Sequence, residues 1–239
     1  QRLNDSLGEA AAEFEAVVER RRGHEPLAYI LGRREFFGLD FEVSPAALIP
    51  RPETESLVEA VIDFANERFR GIPFVIADVG VGCGTIAVAV AGALPNARVV
   101  ATDQSVEALT LASRNAETHG VAGRIEFRHG DLLDPLIEAV DVIAANLPYV
   151  TTTDWESLPP EIRDHEPRAA LDGGADGLRV IERLLRAAPD YLLPGGALFA
   201  EIGDEQGEAA SAIAKEVFAG AGVEIVHDLA GKDRVLVVR

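Results

Sequence analysis

The chain has 239 residues, 48% of them hydrophobic and 26% charged, enough for one large α/β domain with a small appendage and for a sizeable core without cross-links. A single cysteine cannot bridge internally and no apolar run reaches the length of a membrane span, so a disulfide scaffold and a membrane-spanning protein are excluded and a reducing, cytoplasmic setting is expected. The net charge of −18 keeps a protein soluble and argues against a surface that tracks nucleic acid, which needs cations to displace phosphate counterions.

From Leu7 to Arg22, Leu7, Ala11, Phe14, Val17 and Val18 recur at helical spacing and the run closes on "ERRRG", so a helix with basic residues at its C-terminal end is expected. "EFFGLDFEVS" has two apolar runs around Gly38-Leu39-Asp40, the pattern of a β-hairpin. "ALIPRPETESLVEAVIDFANERF" then passes through two prolines into a helix, with Glu53 and Glu55 near its positive end. From Pro73 strands alternate with helices: "FVIADVG", "TIAVAVAGAL", "ARVVATD", "VEALTLASRNAETHG", "IEFRHGD", "VDVIAAN". Continuous apolar strands alternating with amphipathic helices imply a parallel sheet covered on both faces. A loop from Pro148 to Ala175 follows, then a helix from Gly177 to Ala188, the strand "GALFAEIG", a helix from Glu205 to Ala219, and the strands "VEIVHDL" and "RVLVV". Only Ala230 to Asp233 separates the last two, too short for a parallel crossover, so one of them must run antiparallel.

"ADVGVGCGTIAVAVA" sets Gly80, Gly82 and Gly84 between the first strand of the sheet and its helix, where glycine lets a ligand approach the main chain and the helix start offers free N–H groups. Asp103 ends the next strand, where a carboxylate can accept from both hydroxyls of a ribose. A dinucleotide or S-adenosylmethionine could occupy such a place. The loop reads Gly80-x-Gly82-x-Gly84 rather than the dinucleotide spacing, and the acidic Asp78 before it suits a cationic sulfonium better than a pyrophosphate. Cys83 has no evident histidine partner and reads as a small loop residue rather than a nucleophile. With Asp103 and the closing hairpin, this part of the chain resembles the class I S-adenosylmethionine-dependent methyltransferases, whose Rossmann-like seven-stranded sheet has one antiparallel strand near its edge. The resemblance implies that Asp78, Gly80, Val81, Gly82, Cys83 and Gly84 surround the methionine part of the cofactor, that Asp103 holds the ribose, and that Asp131 and Leu132 in "HGDLLDP" lie beside the adenine; Asp131 read by itself could equally be a loop or cap residue. No metal is expected.

"NLPYV", Asn146 to Val150, stands at the exit of the apolar run "VDVIAA". An amide or exocyclic amine is a poor nucleophile because its lone pair is delocalised, so a methyltransferase acting on it must orient the nitrogen and stabilise the charge that develops there. The Asn146 side-chain oxygen and the carbonyl of Leu147 or Pro148 are suitable acceptors, proline stiffens the turn, and Tyr149 can pack on a planar substrate group. Asn146 and Pro148 could also simply end a strand. The Asn-Pro-Pro-Tyr pattern occurs in amino-methyltransferases acting on glutamine and on DNA adenine, whereas Asn-Leu-Pro-Tyr resembles the ribosomal RNA adenine dimethyltransferases, so the tetrapeptide leaves the substrate open.

The segment "PLAYILGRREFFGLDFEVSPAALIPRPETESLVE", Pro26 to Glu59, with its core "LIPRPETE", closely resembles the release-factor glutamine methyltransferases, the PrmC/HemK family. Agreement continues through "HEPRAALDGGADGL", "PGGALFAEIGDEQGEA" and "DLAGKDRVLVV". The resemblance implies a catalytic domain at 51–239, a β-hairpin linker at 26–50, and at 1–25 the remnant of a helical domain that helps grip the substrate. Methionine is absent throughout, as expected of a piece of a longer chain. It further implies methylation of the glutamine side-chain amide in a Gly-Gly-Gln motif of a class-one peptide chain release factor, leaving S-adenosylhomocysteine; a monomer is expected. Arg51, Glu53 and Glu55 would shape the entrance or merely start a helix. An adenine N6-methyltransferase on RNA or DNA would share every catalytic residue, though the RNA dimethyltransferases are expected to be basic with a C-terminal helical domain. A non-catalytic S-adenosylmethionine-binding module and an NAD-dependent oxidoreductase are the remaining readings.

Overall fold

The computed structural model describes residues 2–239, with side chains from Ala11 onward. Helix α1 (Arg2–Arg22) and the short α2 (Leu27–Leu31) lead into a hairpin of β1 (Arg33–Phe36) and β2 (Leu39–Glu42). Phe37 and Gly38 both have positive φ, 53° and 73°, as a two-residue type I′ turn demands, so Leu39 and Asp40 already belong to the second strand. Leu7 lies outside the described side chains; of the other apolar positions expected to pack along α1, Phe14 is 68% exposed.

A 3₁₀ turn (Pro52–Thr54) runs into α3 (Glu55–Arg68), and the main sheet follows: β3 (Phe74–Val79), α4 (Thr85–Ala93), β4 (Ala97–Asp103), α5 (Val106–Thr118), β5 (Ile125–His129) and β6 (Val140–Ala145). The expected loop after Pro148 carries structure of its own: β7 (Val150–Thr151) pairs in parallel with β8 (Asp172–Gly174), and α6 (Thr152–Ser157) and α7 (Pro160–Arg163) lie between them. These pieces are too short to show a periodicity. The chain ends with α8 (Arg179–Ala187), β9 (Leu192–Glu201), α9 (Gly207–Val217), β10 (Val223–His227) and β11 (Asp233–Val238).

The seven strands lie in the order β10-β11-β9-β6-β3-β4-β5. β3, β4, β5, β6 and β9 are mutually parallel, and β11, the last strand, is the antiparallel one, inserted between β9 and β10. Alternate residues of the central strands feed opposite faces. Ile76, Val99, Val142 and Phe199 join a core with α3, α4 and α5, while Ala77, Val100, Ile143 and Leu198 join one with α8 and α9. Burial on both faces explains why these strands read as unbroken apolar runs.

The chain builds β3, β4 and β5 in one direction, then returns to place β6 on the other side of β3. Val79 lies opposite both Thr102 of β4 and Ala145 of β6, so the segments leaving β3, β4 and β6 emerge side by side. A sheet of this kind opens its crevice at the carboxyl ends of the strands, where the order reverses.

Candidate active site

A cavity of about 670 Å³ occupies that crevice. Gly80, Val81, Gly82 and Cys83 line it from the β3 loop, Asp103 from β4, Asp131 and Leu132 after β5, and Asn146, Leu147 and Pro148 after β6. Its size falls within the ordinary range for a small-molecule site.

The glycine loop is shaped by backbone. The N–H groups of Gly80 and Val81 both donate to the Thr102 carbonyl at 2.9 Å, and Gly84, at φ 94°, starts α4. A Cβ on Gly84 would come within 3.2 Å of the Ala112 main chain, so helix α5 presses directly on the loop. Asn115 of α5 secures the linker to the same place: its Oδ1 accepts from Glu42 N–H at 2.8 Å, and its Nδ2 donates to the Glu42 and Cys83 carbonyls. Residues Ala46 to Pro50, after the hairpin, consequently form a wall of the cavity.

Asp103 is half-buried and accepts from Gly82 N–H at 3.0 Å and Ser105 N–H at 2.9 Å. Burial raises its pKa while these donors pull it down. Each carboxylate oxygen retains acceptor capacity toward the cavity. Leu132 adopts φ 45°, a costly conformation for a leucine, and its carbonyl is held by the Thr102 hydroxyl at 2.8 Å. Asp131 meets the Arg183 guanidinium at the rim.

Three expected contact residues sit elsewhere. Asp78 is fully buried beneath the loop, where its Oδ2 accepts from Ala87 N–H at 2.8 Å and holds the first turn of α4. Burial pushes its pKa up to about 7. The Tyr149 ring is turned away from the cavity into the core beneath α8 and α9, and its hydroxyl donates to Glu201 at 3.0 Å. Gly84 is set back from the cavity wall, at the start of its helix. Cys83 lies against the Leu48 carbonyl, its thiol pushed up to about 12 by burial, far from the thiolate a nucleophile needs.

Asn146 and Leu147 do different work. The Asn146 Nδ2 donates to the Thr54 hydroxyl at 2.9 Å. Leu147 is 5% exposed, and a Cβ on Gly80 would lie 3.0 Å from its Cδ2, so its side chain packs over the glycine loop. The Pro148 carbonyl faces β8, where a Cβ on Gly173 would approach it to 2.6 Å, and the Tyr149 carbonyl accepts from Gln206 Nε2 at 2.9 Å.

Around the mouth, Arg51 pairs with the buried Glu166, whose other oxygen accepts from Ile49 N–H at 3.0 Å. Glu55 accepts from Phe37 N–H at 2.9 Å, and Glu53 is exposed. Thr54, inside "LIPRPETE", carries no local signal in the sequence. Glu201 did leave a signal: it is a lone carboxylate in an otherwise apolar strand.

The chain matches the model "Methyltransferase small domain" over residues 64–158 and "PrmC N-terminal domain" over residues 2–32. It is 49% identical over 203 residues to the release factor glutamine methyltransferase of Geobacter sulfurreducens, covering 84% of this chain and 68% of that one. It is 45% identical over 235 residues to the protein of that name from Moorella thermoacetica, covering 98% and 82%. A T. thermophilus 16S rRNA N2 methyltransferase, solved with AdoMet and guanosine, shares the fold at 17% identity and a TM-score of 0.58, over 87% of this chain and 49% of that one. The fold is thus common to proteins acting on different substrates. Identity of 45–49% over 84–98% of this chain decides the matter: the chain belongs to the release factor glutamine methyltransferase family.

Proposed function

We propose that this protein transfers a methyl group from S-adenosylmethionine to the side-chain amide nitrogen of the glutamine in the Gly-Gly-Gln motif of a class-one peptide chain release factor, in the cytoplasm and as a monomer. Residues 51–239 act as the catalytic domain, the linker 26–50 serves also as a wall of the cofactor site, and 1–25 belongs with a helical substrate-gripping region. The observation that carries the reading is the meeting of two loops in one cavity: the glycine loop and the turn at Asn146 face the same space.

The cavity suits the cofactor. Its volume admits a nucleoside with an amino-acid tail, the left-handed glycines at 80 and 82 leave main chain bare toward it, and Asp103 stands where the ribose hydroxyls would donate. When bound, S-adenosylmethionine supplies an electrophilic methyl group on a sulfonium. The protein's residues then have to deliver a nitrogen in line behind it. Asn146 Oδ1 and the Leu147 carbonyl are the acceptors for the two amide N–H groups, since the Pro148 carbonyl is turned toward Gly173. Holding both hydrogens orients the nitrogen and stabilises the positive charge growing on it. Its surplus proton is acidic once the new N–C bond has formed and passes to water, so a strong general base is not required.

The leucine in the tetrapeptide favoured an RNA substrate at first sight. Its side chain packs on Gly80, and the charge of −18 opposes a nucleic-acid substrate. The test is mass spectrometry of a release factor incubated with the protein and S-adenosylmethionine: one methyl group is expected on the Gly-Gly-Gln glutamine and none on a Gln→Ala variant of that motif. Methylation of the variant, or of RNA in its place, would overturn the reading.

A further inference from the structure

An asparagine amide fits its socket in two orientations, and only one of them offers oxygen to the acceptor nitrogen. With Nδ2 toward the cavity, Asn146 would present N–H to N–H and repel the substrate. Something must therefore set its polarity, and resting on the reading above, we infer that Thr54 and Glu201 are positioning residues that fix Asn146 with Oδ1 toward the acceptor amide.

Glu201 is 0% exposed. Its Oε1 accepts from the Tyr149 hydroxyl at 3.0 Å, while its Oε2 is buried with no hydrogen-bond partner; the buried Thr54 hydroxyl is near enough to favour the Glu201 anion and is the donor we assign to that oxygen. An ionised carboxylate only accepts. A threonine hydroxyl has one proton, and once that proton points at Glu201, its oxygen can only accept from Asn146. The amide must then turn Nδ2 toward Thr54, the orientation observed at 2.9 Å, and Oδ1 toward the cavity. Burial raises the Glu201 pKa and the Glu53 carboxylate adds to the rise, while Thr54, Tyr149 and the nearby Arg234 pull it down. The same carboxylate thus anchors both ends of the tetrapeptide, Asn146 through Thr54 and Tyr149 directly. Thr54 precedes α3, which packs on β9, the strand that carries Glu201.

Methyl transfer to a release factor, measured at saturating cofactor alongside cofactor binding by calorimetry, tests this. Thr54→Val keeps the shape and removes the hydroxyl; kcat should fall about 10- to 100-fold with cofactor Kd unchanged, as expected for a misaimed acceptor. Thr54→Ser restores the relay and should recover kcat to within about threefold of the parent. Glu201→Gln, whose amide can donate to Thr54 and reverse the chain of donors, should lower kcat in the same way. Wild-type kcat in Thr54→Val, or equal losses in Thr54→Val and Thr54→Ser, would overturn the relay. If Thr54→Val fails to fold, the Thr54→Ser and Glu201→Gln pair decides. Asn146→Ala separates the two levels: normal turnover there would sink the site reading itself, whereas its loss alongside an unaffected Thr54→Val sinks only the relay.

Discussion

The two rims of the cavity are built by different means. The glycine-loop rim is held by its neighbours in sequence and sheet: main-chain bonds to Thr102, a brace from Asp103, a helix start and the pressure of α5. The Asn146 rim is held by side chains from distant segments, Thr54, Glu201 and Gln206, which lie 92, 52 and 57 residues from their partners along the chain. A cofactor that is always the same can be met by fixed backbone. An acceptor amide needs directed side-chain polarity, and that requires partners brought in by the fold. Leu147 on Gly80 joins the two rims.

The comparison can be broken at its strongest point. Asn146→Ala removes the directed acceptor and should lower kcat by about 10²–10³-fold, or about 3–4 kcal/mol of transition-state stabilisation, with a far smaller effect on cofactor binding; single-turnover transfer measures it. Leu147→Ala opens a gap between the rims and should cost about 2–4 kcal/mol of stability in urea unfolding while leaving glutamine as the acceptor. A switch of acceptor to nucleic acid in that variant would mean the leucine selects the substrate. Asp103→Ala acts on the fixed rim: cofactor affinity should drop by about 10- to 100-fold, or about 1.4–3 kcal/mol, with a smaller change in kcat at saturation. Equal effects on kcat would mean that the rims are not separable.

The smallest effect on turnover is expected at Asp78. Its folded pKa of about 7 lies above the ordinary carboxylate value, so the folded state holds a proton that the unfolded chain releases. Its contribution to stability is complete below about pH 4 and is lost as pH rises through about 7. Asp78→Asn should flatten the fall in melting temperature between about pH 5 and pH 8, and an unchanged slope would place the titration elsewhere.

Much of this molecule is written locally. Apolar runs and amphipathic spacings fixed the order of strands and helices, the short connection before β11 required an antiparallel partner, and Gly80 to Gly84 and Asn146 marked the two loops, because all of these depend on residues within a few positions of one another. Side-chain destinations were another matter. Asp78 looked like a ligand contact and lies beneath the loop; Tyr149 looked like a substrate platform and serves Glu201; Thr54 carried no signal and meets Asn146. Residues Ala46 to Pro50, expected to join two domains, wall the cavity. The reason is the return crossing that seats β6 beside β3 and β9 beside β6: it brings together groups far apart along the chain, and spacing along a sequence carries no record of which way an amide must point once they meet.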